Sequence, residues 1–210
     1  MSRKIWDISQ KVRVGIPVWP GDSPYQEERT WSIGPGCPVN VCQISLSTHT
    51  GTHTDAPLHY DPDGAPMGEV PLDLYLGPCQ VLTIPQGVTL IEPSHVMPFL
   101  RPDMTRLLVR TFTRYPDQWQ ADFAAWSPVL ITSLAEQGVR LIGTDAPSEC
   151  PVVPDSEAEE RAFPRSGNGT LVRVDLKLEA PFDEAGQARH DPLASLFTAD
   201  VDVAVSGAGG

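Results

Sequence analysis

The chain has 210 residues, with 15 Lys and Arg against 27 Asp and Glu, a formal net charge of -12 and a 40% apolar share. That length suits one domain with a real core, and the acidic balance excludes a nucleic-acid surface, whose footprint is clustered Lys and Arg. No run approaches the roughly 18 apolar residues of a membrane span, and no apolar stretch follows the basic residues at the N-terminus, so a cytoplasmic protein is expected.

In chain order, short strands are expected at 4–8, 41–48, 79–84, 106–111 and 139–145, where apolar and β-branched residues concentrate. A short helix fits 93–100. A second helix is well signed: Ser127 suits its cap, Pro128 its first turn, Leu130, Ile131 and Leu134 share a face, and Gly138 ends it. The alternating stretches 171–178 and 201–205 read as further strands, and Gly167-Asn168-Gly169 as a turn. Strands interleaved with few helices describe a single mixed α/β domain over residues 1–210, with an atypical part from about 149. That last part carries twelve acidic residues against five basic ones, the larger share of the net charge. Cys37, Cys42, Cys79 and Cys150 form no C-x-x-C pair and read as buried free thiols.

The chemistry concentrates between residues 49 and 60, in the run HTGTHTDAPLHY. Three of the chain's five histidines, His49, His53 and His59, fall there with Asp55, all at odd positions. An extended chain has a side-chain period of two, so these four would project from one face. The i, i+4 spacing of His49 and His53 also suits a helix, but the alternating threonines, Gly51 and Pro57 oppose one. The strand expected at 41–48 therefore feeds a loop that carries the cluster.

Imidazoles and a carboxylate on one patch are ligands for zinc or a similar divalent ion. Held by His49, His53 and Asp55, a metal keeps an open coordination position, which is a catalytic arrangement. His59 is near enough to carry a proton as general base and then acid, so the set suits hydrolysis of an amide or ester. His95 and His190 stand alone and read as ordinary structural histidines. There is no G-x-S-x-G nucleophile elbow, G-x-G-x-x-G fingerprint or phosphate-binding loop.

The pattern H-x-G-T-H-x-D-x-P-x-H over residues 49–59 resembles the signature of the cyclase family of metal-dependent hydrolases, and within it the bacterial kynurenine formamidases (arylformamidases). The stretches 5–9, 17–22 and 141–148 (IWDIS, PVWPGD and LIGTDAPS) add to the resemblance, which covers about the first 148 residues. It implies a fold of the swivelling β/β/α type and hydrolysis of N-formyl-L-kynurenine to L-kynurenine and formate in tryptophan breakdown. It further implies a homodimer with two zinc ions per subunit. By motif, His49 and His53 bind the first metal, Asp55 bridges both, His59 shuttles the proton and Trp19 contacts the substrate, an indole against an aryl ring.

Such enzymes complete the second metal with a histidine and then a glutamate from the C-terminal part. This chain has no histidine between His95 and His190 and offers instead Glu157, Glu159 and Glu160 in an acidic run. Two alternatives stay open: a hydrolase of another aryl or cyclic amide, of the isatin type, and a metal-binding but catalytically impaired relative.

Overall fold

Four short runs rich in β-branched and leucine side chains assemble side by side into a parallel sheet. The structure is a computed structural model that describes residues 7–148 and the backbone of 172–175. The strands are β3 (Gln80–Thr83), β5 (Arg106–Arg110), β7 (Leu141–Thr144) and β8 (Val172–Asp175), in the order β3-β5-β7-β8. Every neighbouring pair is parallel, with Leu107 opposite Gln80 on one side and Ile142 on the other.

A parallel sheet has to be covered on both faces, and the buried run 107–110 of β5 satisfies this. Leu107 and Val109 point into one cluster with Ile142, Trp126, Leu130, Ile131 and Leu134. Leu108 points the other way, to Val70, Leu74, Tyr75, Cys79 and Leu141. This reversal at successive residues is the period of two expected of a strand.

The first cluster is closed by helix α2 (Pro128–Glu136). Ser127 caps it, its Oγ accepting from the Leu130 amide at 3.1 Å, and Leu130, Ile131 and Leu134 form the buried face. Helix α1 (Pro93–Val96) continues into a 3-10 turn at Met97–Phe99, together filling the 93–100 expectation. Its His95 is structural, as read from sequence: Nδ1 accepts from the Glu92 amide at 2.9 Å in a capping box. Two-residue strands β4 (Leu90–Ile91) and β6 (Ala125–Trp126) pair in parallel beside this cluster.

An antiparallel hairpin, β1 (Gln26–Trp31) with β2 (Val41–Ser45), precedes the metal-type cluster in the chain. The sequence reading missed β1 because its six residues, QEERTW, show no apolar alternation. All residues of both strands are exposed. The expectation of four buried thiols is corrected here: Cys79 is buried, Cys37 only partly, and Cys42 is exposed on β2, where no layer covers the hairpin among the described residues. Of the strand expected at 4–8, residues 7 and 8 lie outside any strand and the others fall outside the described residues, as do Cys150, the 167–169 turn, His190 and the strand at 201–205.

The thiols should differ in reactivity. Burial pushes the Cys79 thiol up to about 12, so it holds almost no thiolate at pH 8. Alkylation of the folded protein followed by peptide mass spectrometry should label Cys42 and leave Cys79 unmodified until denaturant is added.

Candidate metal centre

Past β2 the chain reverses sharply. The Thr50 amide donates to the Ser47 carbonyl at 3.1 Å, and Gly51 sits at φ +69°, a region disfavoured for residues with a Cβ. A Cβ at Gly51 would also lie 3.2 Å from Val12 and 3.3 Å from Ile16. The continuous extended face expected from the odd spacing is thus corrected: a glycine turn, and not the period of a strand, brings His49, His53 and Asp55 together. No helix contains His49 or His53.

Three atoms define the centre. His49 Nδ1 lies 3.1 Å from His53 Nε2 and 3.1 Å from Asp55 Oδ1, and His53 Nε2 lies 3.4 Å from the same oxygen. The other His53 nitrogen, Nδ1, is 2.9 Å from the Gly51 carbonyl oxygen. A carbonyl can only accept, so Nδ1 carries the proton and Nε2 turns a lone pair toward His49 and Asp55. A proton on His49 Nδ1 can serve one edge of the triangle well, which leaves lone pairs facing one another elsewhere. A cation resolves that conflict. Ligands held at about 2.0–2.1 Å by a tetrahedral zinc ion are separated by about 3.3–3.4 Å, close to the observed edges. With such an ion bound, the Gly51 carbonyl would be the outer partner that fixes the His53 imidazole. Burial agrees, with Asp55 4% and His53 8% exposed.

His59 reaches the same place from a different element, a 3-10 turn at Pro57–His59. A donor atom of His59 lies within 4.8 Å of one on His49 and one on Asp55, and its ring centroid is 4.4 Å from that of His49. Unlike the other three it is exposed to solvent. The following loop packs onto this turn, the Leu58 amide donating to the Ala65 carbonyl at 3.2 Å. A Cβ at Gly64 would fall 2.5 Å from the Pro57 carbonyl carbon, so only glycine permits that approach. Tyr60 Oη donates to Asp55 Oδ2 at 3.4 Å.

Residues 16–22 bracket the turn. Ile16 packs under Gly51, while at the other end Asp22 Oδ1 accepts from the Ser23 amide at 2.6 Å, and the Ser47 hydroxyl beside it is the main cause that holds the Asp22 carboxyl below the ordinary value. Ser47 Oγ also accepts from the His49 amide at 3.1 Å. Trp19 lies between, its carbonyl accepting from the Asp22 amide at 2.9 Å, with its ring half-buried beside the cluster of Phe123, Ala125 and Ala146.

The sequence reading gave Asp145 no role, although it lies within the quoted stretch 141–148. It stands just past β7, buried, and accepts from the Thr111 amide at 2.6 Å, Thr111 Oγ1 at 2.7 Å and the Phe112 amide at 3.2 Å. This ties the loop after β5 to the carboxyl end of β7. Burial pushes the Asp145 carboxyl up to about 6, while those donors and the Arg110 charge oppose the rise. The folded protein thus holds this proton more tightly than the unfolded chain does, whose ordinary value is 3.8. Stability from this group is fully present below about pH 4 and is lost as pH rises through about 6, amounting to at most about 3 kcal/mol. Urea melts of metal-free protein should show this loss between pH 4 and 6 in the wild type and not in Asp145→Asn.

Residues 6–149 match the model of the family described as "Putative cyclase". The chain belongs to the cyclase family. Among curated members it is 44% identical to the kynurenine formamidase of Delftia acidovorans over 194 residues, 92% of this chain and 90% of that one. It is 41% identical to the kynurenine formamidase of Paracidovorax citrulli over 206 residues, 94% and 93% of the two chains. These alignments run well past residue 148, farther than the resemblance read from motifs. Two solved structures share the fold. One is a potential metal-dependent hydrolase with cyclase activity, at TM-score 0.68 and 23% identity over 85% of this chain and 84% of that one. The other is isatin hydrolase A from Labrenzia aggregata, at 0.67 and 20% over 82% and 80%. The mixed α/β fold expected from sequence is thus the fold of cyclase-family hydrolases.

Proposed function

We propose that this cyclase-family protein is a kynurenine formamidase (arylformamidase), hydrolysing N-formyl-L-kynurenine to L-kynurenine and formate in tryptophan breakdown. The observation that carries the reading is 44% identity to a kynurenine formamidase over 92% of the chain. In this reading residues 1–210 form one hydrolase domain. His49, His53 and Asp55 would hold a first zinc ion, and Asp55 would be shared with a second. Partners for that second ion fall to the C-terminal part, where Glu157, Glu159 and Glu160 lie outside the described residues.

A divalent ion held there supplies Lewis acidity, which polarises the formyl carbonyl and acidifies water. His59, exposed and beside the ligand triangle, takes the proton of the attacking water as a C–O bond forms. It then delivers that proton to the aryl nitrogen as the C–N bond breaks, so formate and the free amine leave. Trp19 presents its indole to the aryl ring of the substrate, where stacking and apolar burial favour it. The exposed Trp31, Ile33, Val41 and Ile44 on and near the hairpin support a homodimer, since they offer apolar surface to a second copy. A cytoplasmic location accompanies the reading; among the described residues no helix is long and apolar enough to cross a membrane.

Zinc content per chain, measured beside N-formyl-L-kynurenine turnover, tests the proposal. Chelator-sensitive hydrolysis with two zinc ions per chain is the expected result. Faster turnover of isatin than of the formamide would move the protein to the isatin type. Bound zinc without turnover of either compound would leave a metal-binding, catalytically impaired relative.

A further inference from the structure

Trp119 lies one hundred residues from Trp19 in the chain, yet their ring centroids are 5.1 Å apart and their planes meet at 80°, an edge-to-face contact. Trp119 makes a second edge-to-face contact, with Phe123, at 6.3 Å. Both indoles are only half-buried, so each keeps surface that neither its neighbour nor the core covers. The loop carrying Trp119 is fastened at both ends. Asp145 accepts from Thr111 and Phe112 where the loop begins, and Phe123 is buried with Ala125 and Ala146 where it ends. Trp19 is fixed in turn to the metal-type turn through Asp22 and Ser47.

We propose that Trp119 is a specificity-determining residue: it holds the Trp19 indole edge-on and forms with it a two-indole wall that binds the aryl ring of the substrate. The inference rests on the formamidase reading for its substrate class. An edge-to-face partner restricts ring rotation, so an indole with a fixed plane stacks on an aromatic ligand without first losing that freedom. Two half-exposed rings at right angles suit a flat aryl group lying on one and abutting the other. An aliphatic formamide gains little from such a wall.

The test uses the zinc-loaded full chain and L-kynurenine as the binding probe, followed by intrinsic fluorescence, with Trp119→Ala and Trp119→Phe beside the wild type. Trp119→Ala should weaken L-kynurenine binding and raise KM for N-formyl-L-kynurenine about tenfold each, with kcat and zinc content little changed. Trp119→Phe, which keeps an aromatic edge, should return both to within about threefold of wild type. Unchanged KM and unchanged L-kynurenine binding in Trp119→Ala, with only a lower melting temperature, would reduce Trp119 to packing for Phe123 and overturn the proposal. If Trp119→Ala does not fold, Trp119→Leu and Trp119→Phe decide by the same comparison of affinities. Wild-type protein that binds L-kynurenine in a Trp119-dependent way without turning over the formamide would sink the formamidase reading and leave the wall standing. Wild-type turnover with no dependence on Trp119 would do the reverse.

Discussion

Replacing Asp55 by asparagine is expected to empty the metal centre and to lower kcat/KM for N-formyl-L-kynurenine by at least about 10³-fold, several kcal/mol of lost transition-state stabilisation. The reason is charge. His49 and His53 offer neutral nitrogens, so the carboxylate, 3.1 Å and 3.4 Å from them, is the anion within the triangle that offsets a divalent cation. Asparagine nearly preserves the shape of a side chain that is 4% exposed, so the fold should survive. Zinc analysis after dialysis, beside circular dichroism, separates the two effects. Full zinc content in a folded Asp55→Asn protein would remove Asp55 from the ligand set.

His59→Ala is expected to keep the first metal and lose about 10²–10⁴-fold in rate, the usual contribution of a positioned general acid and base. Its exposure fits a proton carrier, because the group must exchange protons with solvent between turnovers. The geometry also raises a rival role, since a His59 donor atom lies within 4.8 Å of those of His49 and Asp55. Metal content decides. If zinc departs with the imidazole, His59 is a ligand; if zinc stays and added imidazole restores part of the rate, it is the proton carrier.

Both predictions concern residues legible in the sequence because the centre is local. His49, His53 and Asp55 lie within seven positions, so a single turn can gather them whatever the rest of the chain does. Helix α2 was legible for the same reason: cap, first-turn proline and buried face all occur in the run 127–138. The strands at 106–110 and 141–144 announced themselves by continuous apolar residues, as buried parallel strands do. Strand β1 did not, because its partner β2 and not its own pattern makes it a strand.

Residue types and their spacing therefore determined that the chain has a mixed α/β fold and which family it resembles, and they singled out the metal-type side chains at 49–59. They did not determine how the metal-type side chains converge. Odd spacing suggested an extended face, whereas a backbone at φ +69° at Gly51 curls the segment on itself. Nor did they reveal that Cys42 is exposed, which depends on what covers the hairpin, or that Asp145 fastens the loop after β5. The contact of Trp19 with Trp119 lay furthest from reach. Contacts between residues a hundred positions apart leave no local periodicity, because the sheet and its loops, and not the intervening sequence, set their distance. The metal-type cluster is thus written in one short segment of chain, while the contact of Trp19 with Trp119 exists only once the sheet has formed.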